Sequence, residues 1–266
     1  MGRVITITSG KGGVGKTTTT ANLGTALAMQ GGRVAVVDAD IGLRNLDVVM
    51  GLENRIVYDL VDVVEGRARL RQALIKDKRL PELCLLPAAQ TRDKDAVSPE
   101  QMTELTNQLR AEFDYVLVDS PAGIEGGFRN AIAGADQVII VTTPEVSAVR
   151  DADRIVGLVE AAEKGPPSLI VNRLKPRLVS RGEMLSVDDV LDLLAITLIG
   201  IVPDDETIVT ATNRGEAAVY DPQSQAGRAF VHIARRLNGE EVPFPALQDG
   251  QGMLERLFGM FGRRRS

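Results

Sequence analysis

Short runs of apolar residues alternate with longer segments of helical pattern along almost the whole chain. The runs are rich in Val, Ile and Leu without polar alternation, which is typical of strands buried on both faces of a parallel sheet. Seven strands are predicted: Val4–Thr8, Val34–Val37, Leu83–Leu86, Tyr115–Val118, Gln137–Val141, Leu169–Val171 and Leu198–Val202. The pattern predicts a doubly wound α/β domain with a mainly parallel sheet and helices on both faces.

Helix signals lie between the predicted strands. A serine followed three positions later by Gln or Asp predicts capped helix starts at Ser98 and Ser186. A pair of glycines predicts the end of a first helix that spans Thr17–Gln30.

The composition changes near Gly239 and predicts three parts. Residues 1–238 form the α/β domain. Residues 239–252 hold proline, glycine, glutamine and acidic residues and are expected to form a flexible linker. Residues 253–266 are expected to form a separate C-terminal amphipathic helix.

Composition and charge limit the function classes. The 266 residues are 44% hydrophobic, which fits one large globular domain. The net charge of -5 argues against a surface that coats nucleic acid, so nucleic acid is not an expected partner. The single cysteine, Cys84, excludes an intramolecular disulfide, argues against a cysteine-based metal site and fits a reducing cytoplasm.

A glycine-rich segment between the first strand and the first helix matches the phosphate-binding pattern G-x-x-x-x-G-K-[ST]. It consists of Gly10, Lys11, Gly12, Gly13, Val14, Gly15, Lys16 and Thr17. Glycines let backbone N–H groups turn towards phosphate oxygens, and the helix N-terminus adds partial positive charge. Lys16 is predicted to pair with the β- and γ-phosphates, Thr17 to ligate Mg²⁺ directly and Thr18 to reach the α-phosphate.

A second lysine, Lys11, occupies a position where an ordinary phosphate loop needs none. Taken alone, it is compatible with a solvated surface lysine. The run Lys-Gly-Gly-Val-Gly-Lys-Thr, however, resembles the deviant Walker A motif of the MinD/ParA ATPase family. The resemblance implies an ATP-dependent homodimer of P-loop NTPase fold, with ATP and Mg²⁺ as ligands. It also implies that Lys11 reaches the nucleotide of the second copy and acts in catalysis with Lys16.

Two predicted strands end in carboxylates: Asp38 and Asp40 follow one, and Asp119 follows another. Ligands bind at this edge of an α/β sheet, where carboxylates can hold a magnesium-bound water or orient an attacking water. A simple Asp-closed turn is the alternative at the first strand. The resemblance implies that Asp38 and Asp119 hold Mg²⁺ through water and that Asp40 is catalytic and positions the hydrolytic water. It further implies that the N–H of Gly123 senses the γ-phosphate.

Two further strand ends carry weaker signals. Asn172 ends one strand, and Pro203 and Asp205 follow the next. All three match family positions that flank the base, although Asn172 alone is equally typical of a turn.

The last fourteen residues have a helical pattern with one apolar face and a basic remainder. The apolar face consists of Leu254, Leu257, Phe258 and Phe261, and the charge comes from Arg256, Arg263, Arg264 and Arg265. This pattern predicts an interfacial helix on an anionic membrane surface. One copy is expected to bind weakly, and two copies in a dimer to gain about 10²–10⁴ in apparent affinity. Docking on its own domain and a basic solubility tail are the alternatives.

Four further segments are similar to the cell-division-site branch of the family: Asp40–Asp47, Gln72–Lys78, Gln90–Asp95 and Pro144–Arg154. The resemblance implies a cytoplasmic ATPase that cycles to the inner face of the plasma membrane as a peripheral protein. There it recruits the division inhibitor MinC to place the septum, and MinE stimulates its hydrolysis. The implied docking face for these partners consists of Val146, Arg150, Asp151, Asp153 and Arg154.

Other functions share parts of this pattern. A FlhG-type flagellar-number ATPase shares the tail, and a ParA-type DNA partition ATPase shares the loop but needs a basic DNA-binding surface. A metal-cluster carrier generally needs paired cysteines, which the chain lacks. A small-molecule kinase or ligase shares the phosphate loop alone.

Overall fold

A computed structural model describes residues 1–93, 96–124 and 126–245. Within these residues one sheet has the strand order β3-β4-β2-β5-β1-β6-β7-β8. The strands are β1 (Arg3–Thr8), β2 (Val34–Asp38), β3 (Ile75–Lys76), β4 (Leu83–Leu86), β5 (Tyr115–Asp119), β6 (Gln137–Thr142), β7 (Ser168–Leu174) and β8 (Thr197–Pro203). The seven predicted strands are confirmed: Leu83–Leu86 has the predicted bounds, and each of the other six differs by one to three residues at an end.

Strand β3 is absent from the sequence prediction. It has two residues and pairs antiparallel with β4 at the sheet edge, whereas the other strand pairs are parallel. Two residues are too few to show a strand period, so only the pairing with β4 reveals it.

Helices fill the connections between the strands. They are α1 (Lys16–Met29), α2 (Leu46–Val49), α3 (Leu60–Val64), α4 (Leu70–Ala73), α5 (Pro99–Glu112), α6 (Gly126–Ala133), α7 (Val146–Ala161), α8 (Pro176–Val179), α9 (Val187–Leu194), α10 (Glu206–Asn213) and α11 (Gln225–Leu237). Both predicted caps are confirmed. The Ser98 hydroxyl accepts from the N–H of Gln101 at 3.3 Å, and the Ser186 hydroxyl accepts from that of Asp189 at 3.0 Å.

Side chains that alternate along the strands build a core on each face of the sheet. On one face, strand residues such as Ile5 pack with α1 and α11, whose Leu23 and Phe230 are fully buried or nearly so. On the other face, residues such as Val4 and Ile140 pack with helices α5, α7 and α9. The doubly wound architecture is therefore confirmed, with helices on both faces.

The last described residues lie against α11. The Arg236 guanidinium donates to the backbone oxygens of Val242 and Pro243 at 2.9 Å each and lies 4.0 Å from the ring centroid of Phe244. The predicted linker is described only as far as Pro245. The predicted amphipathic helix, residues 253–266, lies outside the described residues. None of the described helices has the length and apolar character needed to cross a bilayer.

The carboxylate of Asp205 joins the starts of α10 and α11. One of its oxygens accepts from the N–H of Thr207 at 3.0 Å, and the other accepts from the Ser224 hydroxyl and the Ala226 N–H at 2.9 Å each. Burial alone would raise the pKa of Asp205, but the hydrogen bonds from Ala226, Thr207 and Ser224 lower it to about 2.

We expect Asp205→Ala to lower the free energy of unfolding by about 1–3 kcal/mol, since each lost cap costs roughly 0.5–2 kcal/mol. A carboxyl pKa below its unfolded value of about 3.9 stabilises the fold above that pH, and this stabilisation is lost as pH falls towards the folded pKa. The difference between wild type and variant should therefore shrink between pH 5 and pH 3 in urea unfolding without nucleotide.

Asp204→Ala is the matched control, because within the described part of the chain the Asp204 carboxylate makes just one exposed ion pair, with the Lys175 ammonium group at 3.4 Å. Such a pair contributes at most about 1 kcal/mol. Equal destabilisation by the two variants would contradict the capping role of Asp205.

Candidate nucleotide-binding site

The phosphate loop connects the end of β1 to the start of α1. Gly13 and Gly15 have φ of 78° and 101°, in the left-handed region that favours glycine. A Cβ on Gly15 would stand 2.4 Å from the side-chain nitrogen of Asn172. Both this contact and the positive φ therefore exclude a larger residue at position 15. The same nitrogen donates to the backbone oxygen of Val14 at 2.8 Å. Asn172 therefore holds the loop from the end of β7.

Lys16 and Asp119 form the buried charged centre of the site. Burial lowers the pKa of Lys16, and the nearby carboxylates of Asp119 and Asp40 oppose that shift. Burial and then the charge of Asp38 raise the pKa of Asp119, while Thr17, Lys16 and Thr20 act in the opposite direction. Additional positive charge next to Asp119 would therefore stabilise the ionised form of this buried carboxyl group.

Asp38 organises the chain that follows β2. It lies opposite Asp119 in the β2–β5 register, so the two carboxylates are neighbours at the carboxyl edge of the sheet. One Asp38 oxygen accepts from the N–H of Asp40 at 3.0 Å, and the other accepts from those of Asn45 and Leu46 at 3.1 Å each. Burial raises the pKa of Asp38, and these three N–H groups oppose that rise. Asp38 thus fixes the turn that carries Asp40.

These residues fit a magnesium nucleotide. The carboxylate of Asp119 and the hydroxyl of Thr17 are hard oxygen donors of the kind that Mg²⁺ binds. Lys16 and the first N–H groups of α1 supply positive charge for phosphate. The described residues hold no group of three or more Asp, Glu, His or Cys side chains that forms a metal cage.

Lys11 has a different environment from Lys16. Its side chain is exposed, and its ammonium group lies 3.4 Å from the Ser147 hydroxyl on α7. The backbone of the loop also meets α7, because a Cβ on Gly10 would stand 2.2 Å from the backbone oxygen of Asp151. Lys16 is thus inside the loop, and Lys11 is on its outer side next to α7.

Gly123 lies beyond β5 with a φ of 94°, and its N–H meets the backbone oxygen of Ser9 at 3.4 Å. The ends of β5 and β1 are therefore joined close to the phosphate loop. Its predicted role in sensing the γ-phosphate stays a prediction, as do the roles of Gly12 and Thr18.

The three residues expected near the base have three different surroundings. Asn172 contacts the phosphate loop, whereas the Asp205 carboxylate caps two helices. Pro203 lines a cavity of about 680 Å³ together with Lys175 and Asp204. That size is in the range of small-molecule sites. The base contacts themselves stay predictions.

The predicted partner face forms part of α7. Val146 is 54% exposed, and Arg150, Asp153 and Arg154 are exposed as well. Asp151 is partly buried, and one of its carboxylate oxygens lies 3.9 Å from a guanidinium nitrogen of Arg154. The structure thus leaves most of this face accessible, and its role in partner binding stays a prediction.

Two residues of the site are not in the sequence prediction. The Thr20 hydroxyl lies 3.2 Å from an Asp119 oxygen and 3.0 Å from the backbone oxygen of Lys16. The three-residue spacing of Thr17 and Thr20 on a helix could have indicated that both face Asp119. Ser147, which meets Lys11, has no comparable signal in the sequence.

We expect Asn172→Ala to weaken binding of ADP and of inorganic tripolyphosphate alike, by about fivefold to tenfold. The lost hydrogen bond to Val14 is worth about 1 kcal/mol and shapes the loop whatever the base. Isothermal titration calorimetry with both ligands gives the measurement. Asn238→Ala is the control, because it removes side-chain hydrogen bonds with Gln30 and with Tyr115, neither of which belongs to the phosphate loop. A loss confined to ADP would contradict the loop role and favour a base contact.

Comparison with known proteins agrees with this geometry. The family model described as the CobQ/CobB/MinD/ParA nucleotide binding domain matches residues 5–219. The septum site-determining protein MinD of Bacillus subtilis (strain 168) is 57% identical over 267 aligned residues, covering 99% of this chain and 100% of that protein.

Two solved structures show the same fold. A chain of the MinC:MinD cell division protein complex of Aquifex aeolicus matches with a TM-score of 0.86 and 52% identity, over 91% of this chain and 98% of that one. The septum site-determining protein MinD from Pyrococcus horikoshii OT3, complexed with Mg-ADP, matches with a TM-score of 0.80 and 31% identity, over 90% and 96%. The chain therefore belongs to the CobQ/CobB/MinD/ParA family of nucleotide-binding domains.

Proposed function

We propose that this protein is an ATP-hydrolysing switch that dimerises with ATP, binds the membrane as a dimer and places the division septum. The observation that carries the proposal is the different placement of two lysines on one loop. Lys16 is buried beside Asp119, whereas Lys11 is exposed on the outer side of the loop. One lysine suits the nucleotide of its own chain, and the other is accessible to a second copy.

The proposed chemistry uses the groups around the loop. Lys16 and the N–H groups at the start of α1 hold the phosphates, and Lys11 of each copy contacts the nucleotide of the other. Asp40, fixed by the hydrogen bond from its N–H to Asp38, orients the attacking water. Mg²⁺ held by Thr17, and through water by Asp38 and Asp119, would neutralise phosphate charge. Loss of the γ-phosphate releases Lys11 and the loop at Gly123, so the dimer dissociates.

The similar proteins support the biological part of the proposal. The Bacillus subtilis relative is a septum site-determining protein, and the Aquifex aeolicus chain was solved in a MinC:MinD complex. We infer that this chain also recruits MinC, through the exposed side of α7 from Val146 to Arg154. Stimulation of hydrolysis by MinE belongs to the same proposal, and so does nucleotide-controlled release from the inner face of the plasma membrane.

Lys11→Ala is expected to retain nucleotide binding and to lose ATP-dependent dimers. The exposed ammonium group contributes little to the fold, and Lys16 still holds the phosphates. Analytical ultracentrifugation with ATP measures the dimer, and calorimetry with ADP measures binding. Lys78→Ala, which removes a lysine outside the loop, is the control. A Lys11→Ala variant that dimerises normally with ATP would refute the assignment.

Membrane binding is expected to require ATP and residues 253–266. The single tail binds weakly, and pairing two tails raises the apparent affinity by about 10²–10⁴. The measurement is sedimentation with vesicles containing phosphatidylglycerol in ATP, in ADP and without nucleotide, for the full chain and for a chain that ends before Met253.

Equally tight vesicle binding in all three nucleotide states would contradict the proposed nucleotide control of membrane binding. ATP-dependent binding to DNA, with no vesicle binding, would instead favour a ParA-type partition ATPase.

A further inference from the structure

A small basic pocket lies between the edge strand β8 and helix α11. Its volume is about 190 Å³, and its lining includes Ile201, Ala229 and Pro245 as the apolar part. The polar part includes Arg228, His232 and Arg236. None of the described lining residues is a carboxylate, although the chain as a whole carries a net charge of -5.

The three basic residues of this pocket follow one another at four-residue spacing along α11. That spacing places them on one side of the helix. The sequence of α11 contains no acidic residue. Arg235, one position away from the stripe, is ion-paired with Glu240 at 2.8 Å, so its charge is compensated outside the pocket.

The arginines of the pocket and of its neighbourhood act on the imidazole of His232. Burial lowers the pKa of His232, and the charges of Arg236, Arg235 and Arg228 lower it further. The positive charge at this place therefore comes from the arginines, and it favours the neutral form of His232. One nitrogen of Arg228 donates to the backbone oxygen of Pro222 at 2.7 Å. A guanidinium has five N–H donors in all, so this hydrogen bond uses one of the five on Arg228.

The pocket stands where the chain leaves the domain. Arg236 donates to the backbone oxygens of Ile199, Val242 and Pro243, which ties the segment before Pro245 to β8 and α11. Pro245, the last described residue, lines the pocket. The 21 residues that follow it include the basic amphipathic segment. Seven residues separate Pro245 from Met253, so a surface to which that segment binds is tethered to this pocket by a short length of chain.

We propose that this pocket binds the phosphate of an anionic phospholipid headgroup when the C-terminal segment brings the domain to the membrane. The chemistry fits an anion, because planar guanidinium groups bind phosphate oxygens well. The volume is below the roughly 300–1,000 Å³ of small-molecule sites, which suits one headgroup phosphate and argues against a second nucleotide. Ile201, Ala229 and Pro245 supply an apolar wall for the glycerol carbons.

This inference rests on the proposed membrane binding and extends it from the tail to the domain. The pocket adds a headgroup contact to each of the two weak tails in a dimer. It also limits the orientation of the domain on the surface, since the contact lies on β8 and α11, which pack against each other.

The test compares Arg228→Gln/His232→Gln with wild type by vesicle flotation in ATP. Vesicles contain phosphatidylcholine with increasing phosphatidylglycerol. One cation near an anionic surface is worth about fivefold in affinity. We expect the double variant to bind at least about fivefold more weakly at equal phosphatidylglycerol, and Arg228→Lys to retain most of the affinity. ADP calorimetry and urea unfolding check that each variant is folded.

Arg235→Gln is the matched control, since it removes the same charge from the same helix outside the pocket. We expect a change of at most about twofold, because its charge is paired and screened. If both variants weaken binding equally, general surface charge explains the effect and the pocket is refuted. If wild type binds with ATP and the double variant binds equally well, the pocket fails while the switch stands. If wild type does not bind with ATP, the proposed membrane function itself fails.

His232 also gives a direct signal, since it is the single histidine of the chain. Its imidazole resonances should shift in a saturable way with phosphatidylglycerol nanodiscs and stay unchanged with phosphatidylcholine nanodiscs. A full shift with inorganic phosphate at the same phosphate concentration would show that free phosphate is the ligand, and would overturn the lipid assignment.

Discussion

The site depends on the adjacency of strands β1, β2 and β5 at the centre of a parallel sheet. Parallel pairing brings their carboxyl ends to one edge, so the phosphate loop, Asp38 and Asp119 converge there. Two neighbouring carboxylates buried in this way raise the free energy of the fold unless cations and N–H groups compensate them. The composition of the surrounding loops follows from that requirement.

Each buried charge has a compensating group from a different element. Asp38 is satisfied by three backbone N–H groups of the turn that follows β2. Asp119 has the hydroxyls of Thr17 and Thr20 and the ammonium group of Lys16 nearby. These partners come from α1 and the β2 turn, so a change in the charge at the site acts on several elements together. The proposed nucleotide switch would act through this coupling.

Compensation of buried charge also distinguishes the surroundings of the two lysines of the loop. Lys16 is held inside by the carboxylates around it, whereas Lys11 makes one long contact to Ser147 and remains exposed. The loop is further constrained from β7 through Asn172 and from α7 through the close approach of Gly10 and Asp151. The loop thus has a fixed interior and an outer lysine that is accessible to a second molecule.

Apolar runs, caps and the spacing of glycine and lysine determined the strands, the doubly wound class and the phosphate loop. These features have local signatures. A strand that is buried on both faces is a short apolar run, and a backbone that turns tightly carries glycines at fixed spacing. The two-residue strand β3 was not predicted, since its pairing with β4 rather than its sequence pattern defines it. The sequence also placed Asn172 and Asp205 together near the base, but only the structure revealed their contacts with the phosphate loop and with two helix starts.

The basic pocket beside Pro245 depends on tertiary structure in the same way. Its residues come from β8, from α11 and from the chain that follows α11. None of these segments has a local sequence pattern that indicates an anion-binding pocket. Local pattern determined seven of the eight described strands and the capped helix starts at Ser98 and Ser186. Only packing of distant elements decided which polar atoms meet, because such contacts depend on the distances between elements rather than on the order of residues.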